Sequence, residues 1–404
     1  MAKNQTEARR HGNVAFFKRG ELDYVLQLTL GTVASDAAAV GEVFHAASRI
    51  DEKDKNMRSW IREWKALGER VETKGRTSLE RGHRVSAREA LLRAYNYLRT
   101  STYAMRVDEA QLRKTFHHAR ACFRTAAKLF DPPLESFEID CEGVKLSAYF
   151  ARPDADSEPR PTLIGAGGGE NFCEDIFIYF GAAALKRGYN LLVFDLPGQG
   201  TNALEGNTYR HDVEVPMAAA IDWLIQRPEV DPRRIIASGV SLGGYTVMRS
   251  AAHEPRLAAI SGSTPIVDFQ ELIRENGSYL AKLPSWAGAA AFKLLGKIDP
   301  FALIVYEKFT RAAGAESPAD AFTVFQDWIV DPSQITCPVL CLVGVGEHDS
   351  FRKQARKAYD GVAGPKTMHE FTLEDGADGH CQANNFALAS QVTFDWFDEV
   401  LTDR

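Results

Sequence analysis

The run Arg234-Ile-Ile-Ala-Ser-Gly-Val-Ser-Leu-Gly-Gly-Tyr-Thr-Val-Met-Arg249 constrains the fold more than any other part of the chain. It reads as a short apolar strand, a forced turn and an amphipathic helix, with Ser241 at the turn. Gly239-Val240-Ser241-Leu242-Gly243 has the G-x-S-x-G spacing of a nucleophile elbow, and the two glycines have a steric reason. A serine held in a strained backbone conformation between strand and helix brings the residues two before and two after it together, where side chains would clash. Leu242 opens the helix, so its backbone N–H is unpaired beside the serine oxygen, at the positive end of the helix dipole. Such a place favours an anionic intermediate.

The chain on either side changes character once. Residues 15–129 carry helical periodicity and almost no strand signal, with helices expected over 34–48, 55–76, 87–102 and from about 108 to 129. Ser86-Ala-Arg-Glu89 and Asp108-Glu-Ala-Gln111 read as the starts of the last two. Asp131-Pro-Pro133 stops this pattern, because proline cannot donate a helical hydrogen bond. Beyond it the segments 136–140 and 144–150 alternate around Cys141-Glu-Gly143, as in an antiparallel hairpin. Short apolar strands follow over 162–166, 190–195, 234–238, 258–261, 339–345 and 367–373, interleaved with helices that include 213–226, 242–253 and 387–401. This alternation implies an α/β fold, a mostly parallel sheet with helices on both faces. The interval 268–334 is too long for a simple crossover; its short amphipathic stretches, 269–276 and 289–295 among them, read as a helical cap insertion over the site. The expected division is an N-terminal helical lid domain over 1–133 and an α/β domain over 134–404.

A nucleophilic serine needs a base, and the base needs an acid to orient it. His380, in the loop Glu374-Asp-Gly-Ala-Asp-Gly-His380 after the last strand, is the expected base. Asp349, in Gly344-Val-Gly-Glu-His-Asp349 beyond an earlier strand, is the expected acid, with Glu347 and Asp375 as alternatives. All three fall at carboxyl ends of strands, so they converge on one edge of a parallel sheet. The oxyanion donors expected are the amides of Leu242 and Gly169, the latter in the turn Gly165-Ala-Gly-Gly-Gly-Glu-Asn171. A dinucleotide reading of that turn fails for want of the third glycine, since Glu170 stands in its place. Glu170, Asn171, Asp268 and Glu271 are candidates to line the pocket, against the plainer reading of solvated charges at its mouth. His348 reads as a rim residue, and Cys173 and Cys381 as packing beside the loop and the base. His117 and His118 lie on a helix with no ligand partner at useful spacing, so neither a metal nor a cofactor is expected.

Composition narrows the partners. At 404 residues, 45% hydrophobic and 25% charged, the chain is an ordinary globular one, and a net charge of −6 with interspersed Lys and Arg offers nothing to a nucleic-acid backbone. No run of 18 apolar residues exists and the N-terminus is polar, so no membrane partner is expected and the expected location is cytoplasmic. Six cysteines without C-x-x-C spacing read as free thiols.

Several motifs together resemble the α/β-hydrolases that carry an N-terminal helical domain, a group that includes 2,6-dihydroxypseudooxynicotine hydrolase, fermentation–respiration-switch-like proteins and fungal polyketide-shortening hydrolases. They are Ser86-Ala-Arg-Glu-Ala-Leu-Leu-Arg-Ala-Tyr-Asn-Tyr97, Gly167-Gly-Gly-Glu-Asn171, Phe194-Asp-Leu-Pro-Gly-Gln-Gly200, Ser241-Leu-Gly-Gly244 and Glu374-Asp-Gly-Ala-Asp-Gly-His-Cys-Gln382. The resemblance implies Ser241 as nucleophile, Asp349 and His380 as its partners, and a helical domain that closes with the inserted segment over a small-molecule acyl or ketone substrate. It further implies carbon–carbon bond hydrolysis of an aromatic or polyketide ketone, with ester or peptide cleavage among relatives, and a homodimer, as relatives often form. Acyl transfer, lactonisation and a non-catalytic ligand-binding module remain alternatives on the same fold.

Overall fold

A computed structural model of the chain describes residues 15–107, 110–276, 294, 299–315, 320 and 323–402. Eight strands occur among them: β1 Glu135–Cys141, β2 Val144–Ala151, β3 Arg160–Ala166, β4 Asn190–Phe194, β5 Val230–Val240, β6 Ala259–Ser263, β7 Val339–Gly344 and β8 Lys366–Phe371. They form one sheet in the order β1-β2-β4-β3-β5-β6-β7-β8. The first pair is the expected hairpin: Cys141 pairs with Val144, and the two turn residues Glu142 and Gly143 have φ of 53° and 86°, the conformation that a two-residue hairpin turn demands. β2 runs antiparallel to β4, and every later pairing is parallel. β3 sends its chain to β4 on one side while β5 lies on its other side, so the loops after β3 and β5 meet where the strand order reverses. Ligands of open α/β sheets bind at such a point.

The N-terminal half consists of α1 Gly20–Gly31, α2 Val40–Ala47, α3 Arg58–Glu80, α4 Arg84–Thr102 and α5 Ala110–Ala127. Two sequence expectations need correcting. Ser86 does not cap α4, which begins two residues earlier with His83 at its cap, and the acceptor role expected of the serine is absent from that cap. Helix α1 was not foreseen as a separate element, because Leu22, Tyr24, Val25, Leu26 and Leu28 are all buried. A helix covered on several sides shows no apolar stripe. The expected start at Asp108 and most of the stretch 289–295 lie outside the described residues.

The change of architecture at Pro133 is not a break in the packing. One continuous cluster joins Leu22, Trp60, Trp64, Leu91 and Phe123 of the helices to Leu163, Leu191, Val193 and Ile236 of the sheet, and a second fills the opposite face around Ile164, Leu192, Ile235 and Met248. Two buried arginines also reach across. Arg99 of α4 pairs with Asp175 at 3.2 Å, and Arg120 of α5 pairs with both Glu174 and Asp195 at 2.6 Å. Among the described residues no helix is long and apolar enough to cross a membrane.

Candidate active site

β5 ends at Val240, and Ser241 turns the chain into the helix Leu242–His253 with φ 55° and ψ −116°. That backbone is strained for a residue with a side chain. The glycines around it answer the steric expectation: a Cβ on Gly239 would stand 2.0 Å from the carbonyl oxygen of Gly243, and one on Gly243 would stand 2.3 Å from that of Ala166. The Ser241 N–H bonds to the Ser263 carbonyl at 2.8 Å, which ties the elbow to β6. Leu242 is the first helical residue, so its N–H has no acceptor within the helix.

His380 follows β8 and is 2% exposed. Its Nε2 lies 3.1 Å from Ser241 Oγ and its Nδ1 lies 3.0 Å from Glu347 Oε2. A carboxylate at Nδ1 accepts the proton there, which assigns the tautomer that leaves Nε2 free to receive the serine proton. Glu347 is itself buried and held, its Oε1 accepting the Thr264 hydroxyl at 2.5 Å and the Gly344 N–H at 3.3 Å. Burial works against a charged His380, whereas Cys381 and Glu347 beside the ring favour the charge by more, so the imidazole pKa is raised above its ordinary value.

The acid expected from sequence is therefore corrected. Asp349 does not approach His380; it opens the helix Asp349–Gly361, its side chain is 83% exposed and it faces Arg352 at 3.6 Å. The turn after β7 points Glu347 inward before that helix begins, and the helix axis then carries Asp349 outward. Asp375, the other alternative, is exposed and accepts the Thr372 N–H at 2.7 Å. The only sequence signal for Glu347 was its place three residues beyond the strand, which Asp349 nearly shared.

The glycine turn after β3 crosses in front of the elbow. A Cβ on Gly168 would lie 3.2 Å from Ser241 Cβ. Asn171 Oδ1 takes the Gly168 N–H at 2.7 Å, which leaves the next amide, that of Gly169, as the candidate donor beside Leu242. The carbonyls are gripped in turn: Gln199 donates to those of Gly167 and Gly168, the Tyr209 hydroxyl to that of Gly169, and Arg99 to that of Glu170. Tyr209 and Arg99 were not singled out from sequence and Gln199 stood only within the motif 194–200 with no role given, because each comes from a segment distant from the turn.

Ser241, Leu242, Gly169 and His380 open into a cavity of about 470 Å³. Eight aromatic residues stand in its walls among aliphatic ones: Tyr24 of α1, Tyr103 after α4, Tyr179, Phe351 and Phe386 from the body, and Phe269, Tyr306 and Phe309 from the expected cap. Glu170, Asn171 and His348 also line it. Glu170 lies 3.6 Å from Lys308, so one wall carries an ion pair. Asp268 and Glu271 do not line it; both turn to Lys357, at 2.8 Å and 3.0 Å. The helix Phe269–Asn276 gives its apolar face, Phe269, Leu272 and Ile273, to the cavity, which sends its acids the other way. His118 is corrected as well. It has a partner in Glu72 at 2.5 Å, with Cys122 adjacent, but Arg76 already occupies the same carboxylate at 2.6 Å.

The comparisons with known proteins agree with the fold. The model of the alpha/beta hydrolase family matches residues 163–381, more than half of the chain. Hydrolase ORFZ of Pyricularia oryzae is 33% identical over 279 residues, 65% of this chain and 65% of that protein. The alpha/beta hydrolase xenA of Xenoacremonium sinensis is 28% identical over 93% of this chain and 96% of its own length. Among solved structures, 2,6-dihydroxy-pseudo-oxynicotine hydrolase superposes with a TM-score of 0.66 at 24% identity, covering 93% of this chain and 96% of that one. This last likeness speaks to the fold, including the helical N-terminal half.

Proposed function

Because the chain belongs to the alpha/beta hydrolase family, we propose that it is a serine hydrolase of an aromatic acyl or carbonyl compound, with Ser241 as nucleophile, His380 as base and Glu347 as the acid that orients it. The observation that carries this reading is the unbroken row from Ser241 Oγ through both His380 nitrogens to Glu347, opening into an apolar cavity. His380 Nε2 takes the hydroxyl proton, Ser241 attacks the carbonyl carbon, and the amides of Leu242 and Gly169 receive the negative charge that forms on its oxygen. Collapse expels the leaving group, which His380 protonates, and water then releases the acyl group from the serine by the same route. Glu347 keeps the imidazole in the tautomer this needs and stabilises the imidazolium between steps.

Hydrolysis of a carbon–carbon bond is the reaction we favour within this chemistry. The sequence resemblance implies it, and the aromatic walls suit a flat ring whose own carbonyl or phenol stabilises the departing carbanion. A cavity of this size accommodates a molecule of several rings. The test is mass spectrometry of wild type and Ser241→Ala with a panel of aryl ketones, β-diketones and aryl esters, following products and intact protein mass. Ketone cleavage with a transient acyl adduct on wild type alone is the expected result. Cleavage of esters only makes the protein an esterase, and absence of any adduct or product removes the serine-hydrolase reading.

A further inference from the structure

The segment Phe194-Asp-Leu-Pro-Gly-Gln-Gly200 has no part in the reaction above, yet it folds directly beneath the glycine turn. Gly198 and Gly200 have φ of 82° and 57°, and a Cβ on Gly200 would stand 2.1 Å from Asp195 Oδ2. The bend is tight enough to bury Gln199, which is 2% exposed. Its amide is fixed at both ends. Oε1 accepts the Leu196 N–H at 3.1 Å, which identifies the oxygen, and Nε2 donates to the carbonyls of Gly167 at 2.9 Å and Gly168 at 2.8 Å. The carbonyl of Gly168 and the N–H of Gly169 belong to one planar trans peptide and point in opposite directions. Gripping the oxygen therefore aims the N–H away from Gln199, and this peptide runs alongside Ser241.

We infer that Gln199 is a positioning residue, which sets the direction of the Gly169 N–H and so acts on the charged intermediate rather than on substrate binding. The inference rests on the serine-hydrolase reading. Its test uses the full chain and two variants: Gln199→Met keeps the volume without donors, and Gln199→Glu keeps the Leu196 contact while presenting an acceptor to two carbonyls. The maximal rate of Ser241 labelling by a fluorophosphonate is expected to fall about tenfold or more in both, short of the about 10²–10³-fold loss seen when an oxyanion donor is removed outright, because the Asn171 N–H still holds the Gly168 carbonyl at 3.1 Å. Affinity for a trifluoromethyl ketone, which forms an oxyanion on the serine, is expected to fall by a similar factor. Half-saturation by the fluorophosphonate is expected to stay within about threefold. Labelling by Gln199→Met at the wild-type rate overturns the inference, as does a loss carried by half-saturation alone. A wild type that labels no faster than Ser241→Ala overturns the serine-hydrolase reading and the inference with it.

Discussion

Glutamate is one methylene longer than aspartate, and that length lets Glu347 reach His380 from a turn that closes two residues before the next helix begins. Glu347→Gln is expected to lower kcat about 10³–10⁴-fold, because the wrong tautomer and an unsupported imidazolium follow. Asp349→Asn, on an exposed side chain, is expected to leave kcat within about twofold, and steady-state kinetics on both variants settles which carboxylate matters. The pH profile gives an independent reading. Attack needs neutral His380, and its pKa is raised above 6.5 because Cys381 and Glu347 outweigh the effect of burial, so kcat/KM is expected to rise with pH along a limb lying above 6.5. Removing the Glu347 charge lowers that pKa, so the residual activity of Glu347→Gln is expected to show its limb at lower pH. An unmoved limb would mean that another group governs it. Ser241 and His380 were legible from the sequence because glycines frame the one and a strand end precedes the other. The choice between Glu347 and Asp349 was not, since both follow the same strand and only the three-dimensional turn decides which points inward.

The elbow is where local sequence and local structure agree most closely. Gly239→Ala places a methyl group against the backbone of Gly243, with nothing flexible to give way, and is expected to cost about 3 kcal/mol or more in thermal or urea unfolding. Gly41→Ala is the control. That position, in the first turn of α2, faces open space, so the same change is expected to stabilise by about 0.5–1 kcal/mol. Strands β3 to β7 announced themselves as apolar runs between turn residues, and the helix Leu242–His253 was legible to the residue from its place after the elbow. Helix α1 escaped because periodicity reports a boundary between a buried and an exposed side, and α1 has little of the latter. Its contribution is still direct, since Tyr24 and Leu28 stand in the cavity wall.

Across the whole molecule, the helical half and the sheet share one apolar cluster, so the lid proposed for residues 1–133 is built into the body of the protein. Deleting residues 1–130 takes Arg99 and Arg120 from Glu174, Asp175 and Asp195 and strips the helices from the apolar face of the sheet, leaving Leu163, Leu191, Val193 and Ile236 without the partners that cover them. Burial of apolar area is the dominant favourable contribution to folding, and a typical domain is stable by only about 5–15 kcal/mol. The truncated chain is expected to be insoluble or unfolded by circular dichroism; a folded fragment with unchanged substrate range would refute both the shared core and the lid. The fold class was legible because strand–helix alternation is a property of the chain. The arginine contacts were not, because sequence patterns do not reveal pairing between segments so far apart. Those contacts set a rule for recombination. A chimera that joins this helical half to another hydrolase body at Pro132 inherits two arginines that expect three particular acids on the other side of the junction. Exchange of substrate range by swapping helices therefore requires Glu174, Asp175 and Asp195 to travel with them, although the crossover point lies more than forty residues upstream of the first of the three.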